Sequence, residues 1–454
     1  MTSLQARDVR YLIHPFTNLA VHRERGPLVI DRGEGIYIFD SDGKRYLDGL
    51  AGLWCVSLGY NEQRLVTAAH QQLSQLPFAH TFAHRSSPPA IALAEALIAL
   101  APPPMAKVFF VNSGSEAVDA AIRFVWYYQN AIGKAQKKKL IARQMAYHGV
   151  TVAGGSLTAQ PPVQNGFDLP IENIRHVSMP NYYRYGQPGE TEEAFSERLA
   201  AELDQLILDE GPETVGAFFV EPVMGAGGAL PPPRGYFAAI QKVLKKHDVL
   251  LVADETITAF GRTGNWWGCQ TYTIEPDMIT TAKQLSSGYL PIGALLISER
   301  IFEAIARQSA SLGVFGTGHT YSGHPVAAAV ALETLKIYHE RKIIDQVRAR
   351  SERFLPRLRA LGAHPLVGSA RGVGLVGGIE IVAAKQPRRP FDPTVGAAAL
   401  VAEHALSRGL SVRALLGDTI AICPPLIIDD AQIDTLFDTL QCALDAAEKQ
   451  LPRS

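Results

Sequence analysis

Two residues in this chain could do chemistry together because of where they stand: Asp254 and Lys283. Each closes a short apolar run. Val249-Leu-Leu-Val-Ala253 has the continuous apolar pattern of a strand buried on both faces, and it stops at Asp254-Glu255. Met278-Ile-Thr-Thr281 is a second run, closed by Ala282-Lys283 and the turn residues Ser286-Ser287-Gly288. In an open parallel sheet, ligands lie outside the carboxyl ends of the strands. A carboxylate and an amine delivered there suit a ligand that uses both.

A lysine amine forms a Schiff base with an aldehyde, and a carboxylate keeps a pyridine nitrogen protonated so that the ring draws electrons from an attached carbon. Pyridoxal 5'-phosphate uses both groups. Taken alone, the same pair reads more readily as a strand-end Asp capping a turn and a solvated Lys. Neighbouring segments bear on the choice. The run Lys107–Val111 breaks at Asn112-Ser113-Gly114-Ser115, and a helical composition starts at Glu116. Strand, small-residue turn and helix N-terminus make an anion site, although Ser and Asn also simply cap helices. Tyr147, after the strand candidate Leu140–Ala142, is placed to stack on a ring face or to serve as core. His148 beside it has no metal-ligand partner at a useful spacing. Val215–Val220 ends at Glu221-Pro222, a further strand-end acid, before the turn Gly225-Ala226-Gly227-Gly228.

The elements that must position these residues follow from the same patterns. Tyr236 to Lys246 reads as the helix of a strand–helix–strand crossover, which predicts a parallel sheet. A hairpin is expected around Asp40-Ser-Asp-Gly43, after an irregular lead. Helices are expected over 62–76, 88–100, 194–209, 396–407 and 429–448, with a long one opening near Gly316. Strands are expected at 294–298, 375–382 and 411–415, and irregular structure over 160–196. The partition is a large α/β domain over 60–330, with a mostly parallel sheet, and a smaller α+β domain from 1–59 and 331–454.

At 454 residues the chain is long enough for this, and its net charge of -1 offers no field to hold nucleic acid or an anionic membrane. The basic cluster Lys134 with Lys137–Lys139 reads as a solvated connection. Cys55, Cys269, Cys423 and Cys442 are scattered without a CxxC pair, which argues against a disulfide framework or a zinc site; no metal is expected. The opening residues lack a secretory apolar core, and no run reaches the length of a membrane span. A soluble cytoplasmic protein with small-molecule partners is expected.

The segments VFFVNSGSEAVDAAIRF, AYHG, FFVEPVMGAGG, LLVADETITAFGRTG, DMITTAKQLSSGYLPIGA and HTYSGHP together resemble the class III aminotransferases, pyridoxal-phosphate enzymes of fold type I. AGLWCVSLGY, Phe82 and Arg413 make the omega-amine:pyruvate transaminases the nearest likeness. The resemblance implies an amino group moved from a primary amine or omega-amino acid to pyruvate, giving a ketone or aldehyde and alanine through a pyridoxamine phosphate form. A decarboxylase or aminomutase on the same fold would use the same pair of residues. Lys283 matches the Schiff-base lysine and Asp254 the partner of the pyridine nitrogen. Ser113, Gly114 and Ser115 match the phosphate loop and Tyr147 the stacking aromatic. His148, Glu221 and Thr256 fall among the cofactor-binding positions. Thr320 matches a threonine that the neighbouring subunit supplies, which implies a homodimer, or a tetramer, with shared sites. Leu53, Trp54, Phe82, Tyr147, Val150, Ala226, Ile257 and Arg413 match the substrate pocket. The chain departs from the pattern at Thr256, where valine is usual, and at Ala259, where glycine is usual. The threonine keeps the valine's shape but adds a hydroxyl that needs a partner.

Overall fold

Seven apolar runs pair into one sheet, in the order Met105–Val111, Gly293–Ser298, Met278–Thr281, Leu250–Asp254, Val215–Val220, Lys139–Arg143, Ile174–Val177. The computed structural model describes residues 2–452. Four neighbouring pairs are parallel, and only Gly293–Ser298 runs antiparallel to the strands beside it. Alternate residues of each central strand enter different cores. Ile141, Phe218, Leu251 and Ile279 face one; Leu140, Phe219, Val252 and Met278 face the other, with helix Gly114–Ala131. Burial on both faces is why these strands read as unbroken apolar runs rather than alternating ones. It also leaves polar residues only at the strand ends, where the chain turns.

Two smaller four-stranded sheets stand beside the large one. One joins Val367–Val373, Val376–Ile381, Thr419–Ile422 and Arg413–Leu415; the other joins Ile30–Glu34, Tyr37–Asp40, Arg45–Asp48 and Leu410–Ser411. Both draw only on residues outside 60–330, and we propose that partition as the domain division. The run expected as a single strand over 411–415 is two. Leu410–Ser411 pairs in parallel with Leu47–Asp48, and Arg413–Leu415 pairs with Thr419–Ala421, so the chain changes sheets at Val412. Arg413 emerges at that change.

Other expectations are corrected. The lead is not irregular: helices Ser3–Tyr11 and Leu19–Arg25 form there with no buried residue, the first closed by a capping box between Thr2 and Gln5. The stretch 160–196 contains Ile174–Val177, a four-residue edge strand of the large sheet. The helix that follows starts at Glu192, capped by Thr191. The long helix opens at Pro325, whose ring suits a first helical turn, rather than near Gly316. Helices Glu299–Leu312 and Ile343–Ala360 lie where no element was expected.

Candidate active site

Parallel pairing brings the ends of three adjacent strands to one edge, so Glu221, Asp254 and Lys283 emerge side by side. They line a cleft of about 140 Å³ together with Ser113, Gly114, Ser115, Tyr147, His148, Thr256 and Ile257; Gly149 and Val223 complete its wall. Lys283 follows its strand in the left-handed region, with φ of 44°, a conformation that a non-glycine residue keeps only when its surroundings hold it. The hold is visible in the next residue. Gln284 Nε2 donates to the carbonyls of Ile257 and Ala259, at 2.7 and 3.1 Å, and its Oε1 accepts from buried Arg262. Burial pushes the Lys283 ammonium below its ordinary pKa, against the upward pull of Cys55, Asp254 and Glu221.

Asp254 is 5% exposed, and its Oδ2 lies 2.9 Å from His148 Nδ1. Burial, the largest single effect, would raise its pKa. The hydrogen bond and charge of His148, with the Thr256 amide donating to Oδ1, outweigh it and hold the carboxyl below its usual value. His148 therefore acts on the cleft through Asp254, and its Nε2 is buried without a partner. Glu221 is spent on the backbone: it accepts from the amides of Tyr147 at 3.1 Å and Gly225 at 2.9 Å, and burial raises its pKa. It fixes Tyr147 and the glycine-rich turn.

At the other end of the cleft, Ser113 caps an 18-residue helix by accepting from the Glu116 amide. Ser115 Oγ accepts from the Val150 amide at 3.3 Å, while Val150 itself is exposed at the rim. A Cβ added at Gly114 would meet Thr256 Cγ2 at 3.0 Å, so glycine there lets the loop lie against Thr256. The Thr256 hydroxyl is buried and makes no hydrogen bond.

Trp54 is buried, and both Lys283 Nζ and Arg413 Cζ stand over its indole, 5.4 and 5.5 Å from the centroid. Arg413 has no ion-pair or hydrogen-bond partner for its guanidinium among the described residues. Burial lowers its pKa and the neighbouring Tyr147 opposes this. Ala226 is half-buried in the turn packed against Ile257, and Leu53 is about half exposed. Of the expected site residues, Leu53, Trp54, Phe82, Val150, Ala226, Thr320 and Arg413 are not among those that line this cleft. Phe82 packs against Gly318 in the exposed segment that carries Thr320, close to the ring pair Phe78 and Tyr321.

Comparison with known proteins bears on the reading of this site. The family described as aminotransferase class-III matches residues 19–444. The chain is 49% identical to a chloroplastic gamma aminobutyrate transaminase 3 of Solanum lycopersicum, over 99% of this chain and 87% of that protein. It is 48% identical to a mitochondrial gamma-aminobutyrate transaminase 1 of Oryza sativa subsp. japonica, over 97% of this chain and 85% of that one. An omega transaminase from Pseudomonas jessenii, solved in complex with PMP, superposes with a TM-score of 0.97 at 48% identity, covering 99% of each chain. The chain belongs to the class III aminotransferases.

In this aminotransferase several residues that support the site carried no sequence signal. Asp48, buried, accepts from the Tyr60 hydroxyl and from the amides of Leu50 and Gly52, which sets the bend that presents Trp54. Arg143 donates to the Glu221 carbonyl at 2.7 Å from inside the sheet. Phe16, in the lead, brings its ring 6.2 Å from that of Tyr147. The Arg143 and Phe16 contacts join segments distant in sequence, so only the fold shows them. Asp48 alone offered a hint, as a strand-end acid before a glycine.

Proposed function

We propose that this aminotransferase binds pyridoxal 5'-phosphate in the cleft and moves an amino group from a primary amine or omega-amino acid to pyruvate. The residues fit that cofactor. An amine of depressed pKa and an ionised buried carboxylate share the cleft, a helix N-terminus with two serines stands ready for an anion, and the Thr256 hydroxyl is left over. The bound cofactor supplies the aldehyde and the electron-drawing ring. Asp254 would hold the proton on the ring nitrogen. Lys283 Nζ, made easier to deprotonate by burial, would take the proton from the substrate carbon and return it elsewhere. Tyr147, fixed by Glu221, would cover the ring.

Arg413 is the single observation that carries the substrate class. A guanidinium with no acid partner among the described residues, held over the same Trp54 indole as the Lys283 amine, is a receptor for a carboxylate. The keto acid brings one, and so does the far end of an omega-amino acid such as the one named in the plant relatives. A carboxylate-free amine would rest on the indole instead. The protein is proposed to act as a homodimer to which the neighbouring subunit lends Phe82 and Thr320, and its free cysteines support a reducing compartment such as the cytoplasm.

The test starts from the holoprotein's absorbance spectrum. A carboxylate-free amine should bleach the cofactor band and pyruvate should restore it, with ketone and alanine formed one for one. Carbon dioxide release, or rearrangement without alanine, would sink the reading in favour of a decarboxylase or an aminomutase. Arg413→Ala should raise KM for pyruvate roughly ten- to hundredfold, the equivalent of about 1.5–3 kcal/mol for a hydrogen bond to a charged group, and leave bleaching by that amine nearly unchanged.

A further inference from the structure

Away from the cleft, one cluster of side chains is arranged to take an ion. Asp8 lies on helix Ser3–Tyr11, His22 on helix Leu19–Arg25, and His14 in the link between them. Asp8 Oδ1 is 2.9 Å from His14 Nε2 and 3.1 Å from His22 Nε2, and the two imidazoles face each other with centroids 4.1 Å apart. One donor atom from each residue lies within 4.8 Å of the other two, a grouping that no other set of His, Cys, Asp and Glu makes among the described residues. All three side chains are largely shielded from solvent, His22 the most.

We propose that Asp8, His14 and His22 form a binding site for a divalent transition-metal ion, best matched by Zn2+, with water completing the coordination. A tetrahedral ion with bonds of about 2.0–2.1 Å separates its donors by roughly 3.3 Å, so Asp8 Oδ1 needs to part from each imidazole nitrogen by only a few tenths of an ångström to admit it. Two imidazoles and one carboxylate suit Zn2+, Co2+ or Ni2+, whereas Mg2+ and Ca2+ demand shells of oxygen. An imidazole that ligates through Nε2 carries its proton on Nδ1, so the change from hydrogen bond to metal bond moves the proton to the other ring nitrogen.

Position gives the site a consequence. The donors bracket the link that contains Phe16, held at φ of 51°, whose ring meets that of Tyr147 at the cleft. An ion there ties both flanking helices and the link to one point, and so restrains the segment that borders the active site. Nothing in this depends on which amine or keto acid the enzyme uses.

Co2+ titrated into the metal-free holoprotein tests it through visible ligand-field absorption. The band should saturate at one ion per chain, be displaced by Zn2+, and vanish in Asp8→Asn, His14→Gln and His22→Gln. The two helices bury no residue, so these variants should keep the near-ultraviolet circular dichroism of the parent protein. With free Zn2+ at about ten times its dissociation constant, amide exchange through local opening of residues 12–18 should slow roughly tenfold in the parent and not in the variants. No band, or a band undiminished in all three variants, would overturn the proposal and leave Asp8 as a hydrogen-bonded clasp between two histidines.

Discussion

Thr256 places a hydroxyl in the wall of the cleft where it is buried and unpaired, while its amide donates to Asp254, two residues before it. An unsatisfied buried hydroxyl costs about 1–3 kcal/mol, and valine has the same shape without it. Thr256→Val should therefore stabilise the apoprotein by about 1 kcal/mol, read from thermal unfolding at fixed protein concentration; an apoprotein less stable than the parent would show that the hydroxyl is satisfied by water. Lys283 bears a second expectation. Its neutral amine is the form that captures an aldehyde, and burial lowers the pH at which that form appears. Uptake of pyridoxal phosphate by the apoprotein should rise with pH and reach its midpoint below the ordinary lysine value of about 10.4. A midpoint at or above it, in stopped-flow absorbance, would contradict the burial argument. At this scale the sequence shows Asp254 and Lys283 plainly, because each ends a strand. It hides the pairing of Asp254 with His148, because the two stand 106 residues apart and only sheet order brings them together.

Glu255, the residue after Asp254, shows how elements hold the site. Wholly buried, it accepts from the amides of Gly268 at 2.8 Å and Cys269 at 2.6 Å and from the Thr258 hydroxyl, so it caps the short helix Gly268–Tyr272 from the end of the strand. Burial raises its pKa despite these donors. Glu255→Ala would leave two amides and a hydroxyl without partners in the core, and should lower stability by about 3 kcal/mol or more. Denaturant unfolding of the apoprotein checks it; a loss under about 1 kcal/mol would mean that water replaces the carboxylate. Elements with strong apolar runs are legible from sequence for the reason that makes Glu255 necessary: they are buried on both faces, and polar groups collect at their ends. The helices Ser3–Tyr11 and Leu19–Arg25 are hard to see because they bury nothing and so lack an apolar stripe. Ile174–Val177 is hidden by its length, four residues at the sheet edge among prolines and glycines.

At the scale of the whole molecule, Phe82 and Thr320 are the residues that a single chain leaves without a role. They share an exposed apolar region with Phe78 and Tyr321, 40% and 59% exposed, and do not line the cleft of their own chain. No pattern in the sequence could assign either to a second copy; the resemblance suggested it for Thr320 alone, because a strand-end rule says nothing of surfaces. If two chains complete each other's sites, the sites should complement. A Lys283→Ala chain lacks the reactive amine but offers an intact Thr320 to its partner. A Thr320→Glu chain keeps its amine but sets a carboxylate where its partner's phosphate should bind. Each homodimer should then be inactive. A mixed dimer has one site made of the good half of each chain and one made of both defects. Random pairing makes half the dimers mixed, so co-expressed chains should recover about a quarter of the parent's turnover, as closed two-fold symmetry requires. Recovery near zero would mean that each site uses the Thr320 of its own chain, whereas a Thr320→Glu homodimer as active as the parent would make Thr320 an ordinary surface residue.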